Sequence, residues 1–129
     1  MRLLLDTHAF LWFVLDDLRL SPRARRGVED AGTDVLISPA SYWEIAIKIS
    51  LGKYSLAVPY AEFWRHGITS NAFGVLPIDI RHTAALLDMP YQGHTDPFDR
   101  LLAAQALVED IPLVSADGRL ERYGIQRIW

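Results

Sequence analysis

Residues 2–12 read RLLLDTHAFLW, a basic residue, three leucines, an aspartate and then an apolar stretch with helical spacing. A short leucine run bounded at once by an acid has the length of a buried strand, and Asp-Thr ahead of a periodic apolar segment marks a helix start. Strand, acid and helix therefore follow one another without a linker. The same order recurs downstream. DVLISP (34–39), GVLPID (74–79) and IPLVSAD (111–117) read as strands, and IQRIW (125–129) as a short last one. Helical patterns fall near 8–17, 21–31, 40–51, 59–71, 80–88, 97–109 and 118–122. Alternation of this kind predicts an α/β fold, a central parallel sheet flanked by helices.

Punctuation supports these boundaries. Ser21-Pro22 is a preferred cap followed by proline at the first helical position, and Gly32 reads as a stop. Gly52, Gly67 and Gly118 mark turns, with a place inside a helix as the alternative for Gly67. No repeat, low-complexity segment or linker interrupts the 129 residues, so the expectation is a single domain over 1–129.

Composition narrows the functional classes. Half of the residues are hydrophobic, which excludes a disordered chain. With no cysteine there can be no disulfide, zinc thiolate or thiol nucleophile, in keeping with a reducing cytoplasm. The longest apolar run, Ala9 to Leu15, is too short to span a bilayer, and Asp6 and His8 break up any signal-peptide pattern. The expected location is cytoplasmic, with no membrane partner. Thirteen basic and sixteen acidic residues give a net charge of −3, unlike a generic polyelectrolyte binder. Any nucleic-acid contact must be local or assisted by a metal. The segment RLSPRARR (19–26) concentrates Arg19, Arg23, Arg25 and Arg26, which fits either a solvated helix face or a phosphate-contacting patch.

In open parallel sheets, function collects at the carboxyl ends of the strands, which makes the acids there the first candidates. Asp6 could simply cap the helix that follows, although a carboxylate at a buried strand end is costly unless paired. Glu44 fits a Ser41-x-x-Glu44 capping box or an exposed pair with Lys48. Against both, Ser38-Pro39 already starts the helix, and Trp43, Ile45, Ile47 and Ile49 make much of it apolar. Asp96 before Pro97 is a strong cap signal, and Asp99 falls at the third helical position. The helix behind Asp99, with Leu101, Leu102, Ala103, Ala104, Ala106, Leu107 and Val108, is apolar nearly all round and hence buried. Asp79 is accounted for by capping, and Asp117 before Gly118 by a turn. Taken together, Asp6, Glu44, Asp99 and Asp117 come from distant segments that such a sheet brings to one edge. Four unpartnered carboxylates would repel, and oxygen-only ligands select magnesium or manganese over zinc. The histidines show no ligand spacing and read as hydrogen-bonded structure.

LLLDTHAFLW (3–12), SPASYWEIAIKISLGK (38–53), DPFDRLLAAQA (96–106) and LVSAD (113–117) resemble, in order and spacing, the four motifs of PIN-domain ribonucleases. They are most similar to those of the VapC-like toxins of bacterial toxin–antitoxin pairs. The resemblance implies an acidic site at Asp6, Glu44, Asp99 and Asp117. Asp96 lies near it, and the hydroxyls of Thr7 and Ser115 support it. It also implies Mg2+ (or Mn2+)-dependent hydrolysis of RNA phosphodiester bonds, a homodimer and a small VapB-like antitoxin. A PIN nuclease of RNA processing, without an antitoxin, is the alternative. A receiver domain would need an acidic pair at the first strand end and a late lysine, but the last lysine is Lys53. An aspartyl-nucleophile phosphatase would need an acid where His8 stands. A non-catalytic α/β binding module is the remaining alternative, because fold alone does not fix activity.

Overall fold

In the computed structural model, which describes residues 1–90, 93 and 95–129, five parallel strands form one sheet in the order β3-β2-β1-β4-β5. The strands are β1 (Arg2–Leu5), β2 (Asp34–Ile37), β3 (Gly74–Val75), β4 (Leu113–Val114) and β5 (Arg127–Ile128). All five segments expected to be strands are present, but each strand is shorter than the segment read for it. β2 stops at Ile37 because Ser38 already caps the next helix, its hydroxyl accepting from the Ala40 N–H.

The helices are α1 (Thr7–Val14), α2 (Pro22–Glu29), α3 (Pro39–Ser50), α4 (Tyr60–Ser70), α5 (Ile80–Ala85) and α6 (Pro97–Glu109). Shorter 3-10 turns cover Leu86–Asp88 and Gly118–Tyr123. Caps read from the sequence are in place. Ser21 caps α2, Asp96 caps α6, and Asp79 closes a reciprocal box with His82 at the start of α5. The Ser41–Glu44 box does not form, because Ser41 is already inside α3.

Side chains of β1 alternate between the two faces of the sheet. Leu3 and Leu5 join Phe10, Leu11, Ile37, Phe63 and Trp64 in one layer, while Leu4 packs with Leu102, Ala103, Ala104 and Leu113 in the other. The small residues of α6 are buried, as its all-round apolar pattern required. Gly67 lies within α4, where an added Cβ would come 2.9 Å from the Phe10 ring. That ring is fully buried and stacked on Trp64 at 4.7 Å, so it has little room to yield. Gly67→Ala should therefore lower stability by about 1–3 kcal/mol despite alanine's better helix propensity. Denaturant titration of the variant checks this, and an unchanged midpoint would contradict it.

Strand register sets where the connecting loops emerge. Leu5 of β1 pairs with Ile37 of β2 and with Val114 of β4, so the three strands end level. The chain order runs outward from β1 to β3 on one side and through β4 to β5 on the other. The order of strand addition thus reverses between β1 and β4, the place where a crevice opens in such folds.

Candidate functional site: an acidic cavity at the strand ends

Level strand ends put Asp6, Ser38 and Ser115 side by side as the first residues beyond the sheet. The Asp6 N–H still donates to the Val114 carbonyl at 3.0 Å. Asp6 is buried, and its Oδ1 accepts from the Ala9 N–H at 2.7 Å, so it does cap α1. Capping does not exhaust it. Burial pushes its carboxyl up to about 6, with further upward pressure from Glu44 and Asp117, against hydrogen bonds from Ser115 and Ala9 that favour the anion. A carboxylate held this way is short of positive charge.

Glu44 reaches the same place from α3. It is buried, and its two oxygens are held separately. Lys48, one turn on, donates to Oε2 at 3.0 Å, while Thr7 Oγ1 lies 2.6 Å from Oε1 and 2.9 Å from Ser41 Oγ. Thr7 has one hydroxyl proton, and the short contact gives it to the carboxylate. The Glu44–Lys48 pair read from the sequence is present, but on a buried glutamate at the strand ends rather than on an exposed face.

Asp96 and Asp99 approach from the first turn of α6. Asp96 is exposed and accepts from the Phe98 and Asp99 N–H groups at 2.9 and 3.1 Å, the full work of a cap. Asp99 is half-buried and faces the same opening. Asp117 caps the 3-10 turn after β4, and its carboxylate is gripped by the Arg119 fork at 3.0 and 2.9 Å. The Ser115 hydroxyl links two of the acids, bonding to Asp6 and accepting from the Asp117 N–H at 3.1 Å.

These groups line one open cavity of about 330 Å³. Asp6, Glu44, Asp96, Asp99 and Asp117 face Lys48 and Arg119 there, five carboxylates against two cations. The four acids that the sequence grouped are therefore brought together, with Asp96 beside them. Thr7 and Ser115 stand behind them as hydrogen-bonding supports.

The donor set fits a hard divalent cation, since it is all oxygen and carries excess negative charge. Glu44 and Asp117 are engaged by Lys48 and Arg119, so holding an ion would require those side chains to turn. Among the described residues, three ligand atoms within 4.8 Å of one another occur instead at Asp79, His82 and Glu109. That group lies at the far end of α6, and it is already satisfied. His82 Nδ1 accepts from the Asp79 N–H, its Nε2 faces Glu109 at 2.9 Å, and Arg81 bridges both acids. His82 is thus hydrogen-bonded structure, as expected of the histidines, whereas His94 lies outside the described residues.

Sequence reasoning missed three residues of this cavity, His8, Trp12 and Arg119. His8 and Trp12 are four apart on the helix that Asp6 starts, and that spacing was the available signal. Arg119 could have been suspected from its position two residues after a capping aspartate.

Comparison with known proteins places this geometry. The PIN-domain family model matches residues 3–126. The chain is 30% identical over 122 residues to ribonuclease VapC22 of Mycobacterium tuberculosis, covering 93% of this chain and 90% of that one. Its fold is similar to the crystal structure of VapBC2 from Rickettsia felis bound to a promoter DNA fragment. There the TM-score is 0.73 at 12% identity, with both chains fully covered. It is also similar to VapBC-1 from nontypeable Haemophilus influenzae, with a TM-score of 0.68 at 18% identity over 98% of this chain and 96% of that one. A parallel five-stranded sheet ending level at a buried aspartate, matched by the family model over nearly its whole length, makes this chain a member of the PIN-domain family, homologous to the VapC ribonuclease toxins.

Proposed function

We propose that this protein is a metal-dependent endoribonuclease and the toxin of a bacterial toxin–antitoxin pair. The observation that carries the chemistry is Asp6. It is a buried carboxylate whose pKa is raised to about 6, sharing a cavity with four other acids at the sheet's reversal point. Such a group has no structural need to be an acid, since asparagine would cap α1 as well.

Asp6, Glu44, Asp99 and Asp117 would hold magnesium, or manganese in its place. Bound there, the ion supplies a water acidic enough to attack at neutral pH and offsets charge on the attacking and leaving oxygens. The rest falls to the chain. Thr7 fixes one oxygen of Glu44 and Ser115 fixes Asp6, so the acids are oriented before substrate arrives. Lys48 and Arg119, released from their acids, are placed to meet the phosphate oxygens of the substrate. Attack of water on phosphorus with departure of a ribose oxygen hydrolyses the RNA chain. The toxin assignment is supported by homology to VapC22 and by the VapBC complexes among the fold's neighbours. By the same analogy the protein forms a homodimer and binds a small VapB-like antitoxin. It would act in the cytoplasm, and among the described residues no helix is long and apolar enough to cross a membrane.

The purified chain, freed of any partner, should cleave RNA in magnesium or manganese and stop on addition of chelator. Expression alone should arrest growth, and co-expression with the reading frame immediately upstream should yield a stable complex on sizing. Cleavage indifferent to chelator would overturn the metal assignment. A harmless protein that ignores the upstream product would overturn the toxin assignment.

A further inference from the structure

The cavity's acids account for hydrolysis but not for the aromatic wall beside them. His8 and Trp12 lie one turn apart on α1, and both line the cavity with Asp6 and Asp99. Neither is core. His8 is exposed and Trp12 half-buried, although Ala9, Phe10 and Leu11 between them are buried.

The rings are organised rather than loose. His8 and Trp12 have centroids 5.6 Å apart, tilted by 44°, and Trp129 of the last strand's end supports Trp12 at 5.8 Å. The Arg19 guanidinium lies 5.0 Å from the Trp12 ring centre. Asp17 holds that guanidinium in place through contacts of 3.1, 3.2 and 2.7 Å. Trp12 is therefore fixed from two sides, and it in turn backs the exposed His8. A ring held in advance loses little entropy when something stacks on it.

We infer that the His8–Trp12 wall is a stacking platform for an unpaired base of the RNA, next to the phosphate that lies over the acids. The inference rests on the ribonuclease reading and assigns to it the residues that would seat an unpaired base. Rings alternating with cations match the alternation of bases and phosphates, and single-strand binders use that combination. Here the cations are Arg19 over Trp12, and Lys48 and Arg119 across the cavity once RNA phosphates draw them from Glu44 and Asp117. A base within a duplex has its faces covered by its neighbours and cannot reach this wall. A peptide partner is the less favoured occupant, because the rings open into a charged cavity rather than onto an apolar surface.

The test is binding of a fluorescent mixed-sequence single-stranded oligoribonucleotide, with the same sequence as a duplex for comparison, in the Asp99→Asn background. Trp12→Ala and His8→Ala should each weaken single-strand binding at least about fivefold, the scale of one stacked base. Both should leave duplex binding unchanged. Trp12→Phe and His8→Tyr should restore affinity, and an abasic nucleotide at one position should abolish the difference between His8→Ala and its parent. Because His8 is exposed, its variant tests the idea even if Trp12→Ala folds poorly. Trp43→Ala serves as control, since Trp43 is an exposed aromatic (64%) outside the cavity wall. Equal loss in that control would overturn the platform. So would unchanged single-strand binding in the His8 and Trp12 variants while the wild type still cleaves RNA, a result that leaves the ribonuclease reading intact. Loss of the upstream protein partner with RNA affinity unaffected would make the wall a protein-docking surface instead. A wild type that neither binds nor cleaves RNA would bring down the ribonuclease reading itself.

Discussion

With metal removed, Asp6→Asn should melt above the wild type at pH 8 and level with it at pH 4. The folded-state pKa of Asp6 is raised from 3.8 to about 6, so the native protein binds more protons than the unfolded chain between those values. Stability is then lost as pH rises through that window, and the deficit persists above it. Asparagine keeps the Oδ1 contact with the Ala9 N–H and carries no charge. A shift of this size corresponds to about 3 kcal/mol. For a domain of this length that is roughly 10 °C in Tm. Magnesium should reverse the order, stabilising the wild type by binding its native state while leaving the variant little changed. Cleavage should be lost in the variant. Thermal melts at the two pH values, with chelator and with magnesium, settle the matter. A variant less stable than wild type at pH 8 in chelator would show that the buried charge is already compensated within the protein.

The second large effect separates two aspartates within one helical turn. Asp96 makes both cap hydrogen bonds of α6 and is exposed, whereas Asp99 is half-buried beside the other acids. Asp96→Ala should cost about 1 kcal/mol of stability and leave metal-dependent cleavage measurable. Asp99→Asn removes one charge from a mutually repelling group and should abolish cleavage. Without metal it should be neutral or stabilising. Cleavage rates and melts on the two variants provide the comparison. An active Asp99→Asn beside an inactive but folded Asp96→Ala would exchange the two roles.

What could be read in advance, and what could not, depends on the range of the interactions involved. Caps are local, so Ser21, Asp79 and Asp96 announced themselves by their neighbours in sequence. The five strands were legible as apolar runs, but their ends were not. β4 pairs with β1 only up to Leu5, where β1 ends, and Pro112 before it has no N–H to donate, so IPLVSAD contributes only Leu113–Val114 to the sheet. The grouping of Asp6, Glu44, Asp99 and Asp117 followed from the expected sheet together with the resemblance to the PIN-domain motifs. How each is held did not. The Thr7 contact to Glu44 spans 37 residues, and His8 and Trp12 came to the same cavity only once α1 was set against α3. Arg119 shows the opposite failure. Its partner is two residues away, but a surface turn and a site residue look alike until the cavity is drawn.

The unequal strand lengths divide this cavity in time as well as in space. β1 and β2 pair over four residues each, whereas β4 and β5 pair over two. Amide exchange should therefore grade from the long central pair, opening only with global unfolding, to the short outer pairs, opening in local excursions. Asp6 and Glu44 are carried by the slow-opening part, fixed to β1 and to the helix after β2. Asp117 is carried by the quick part, on the turn between β4 and β5. The cavity thus has one wall on the sheet's longest pair and another on one of its shortest, and amide exchange should be slower behind Asp6 and Glu44 than behind Asp117.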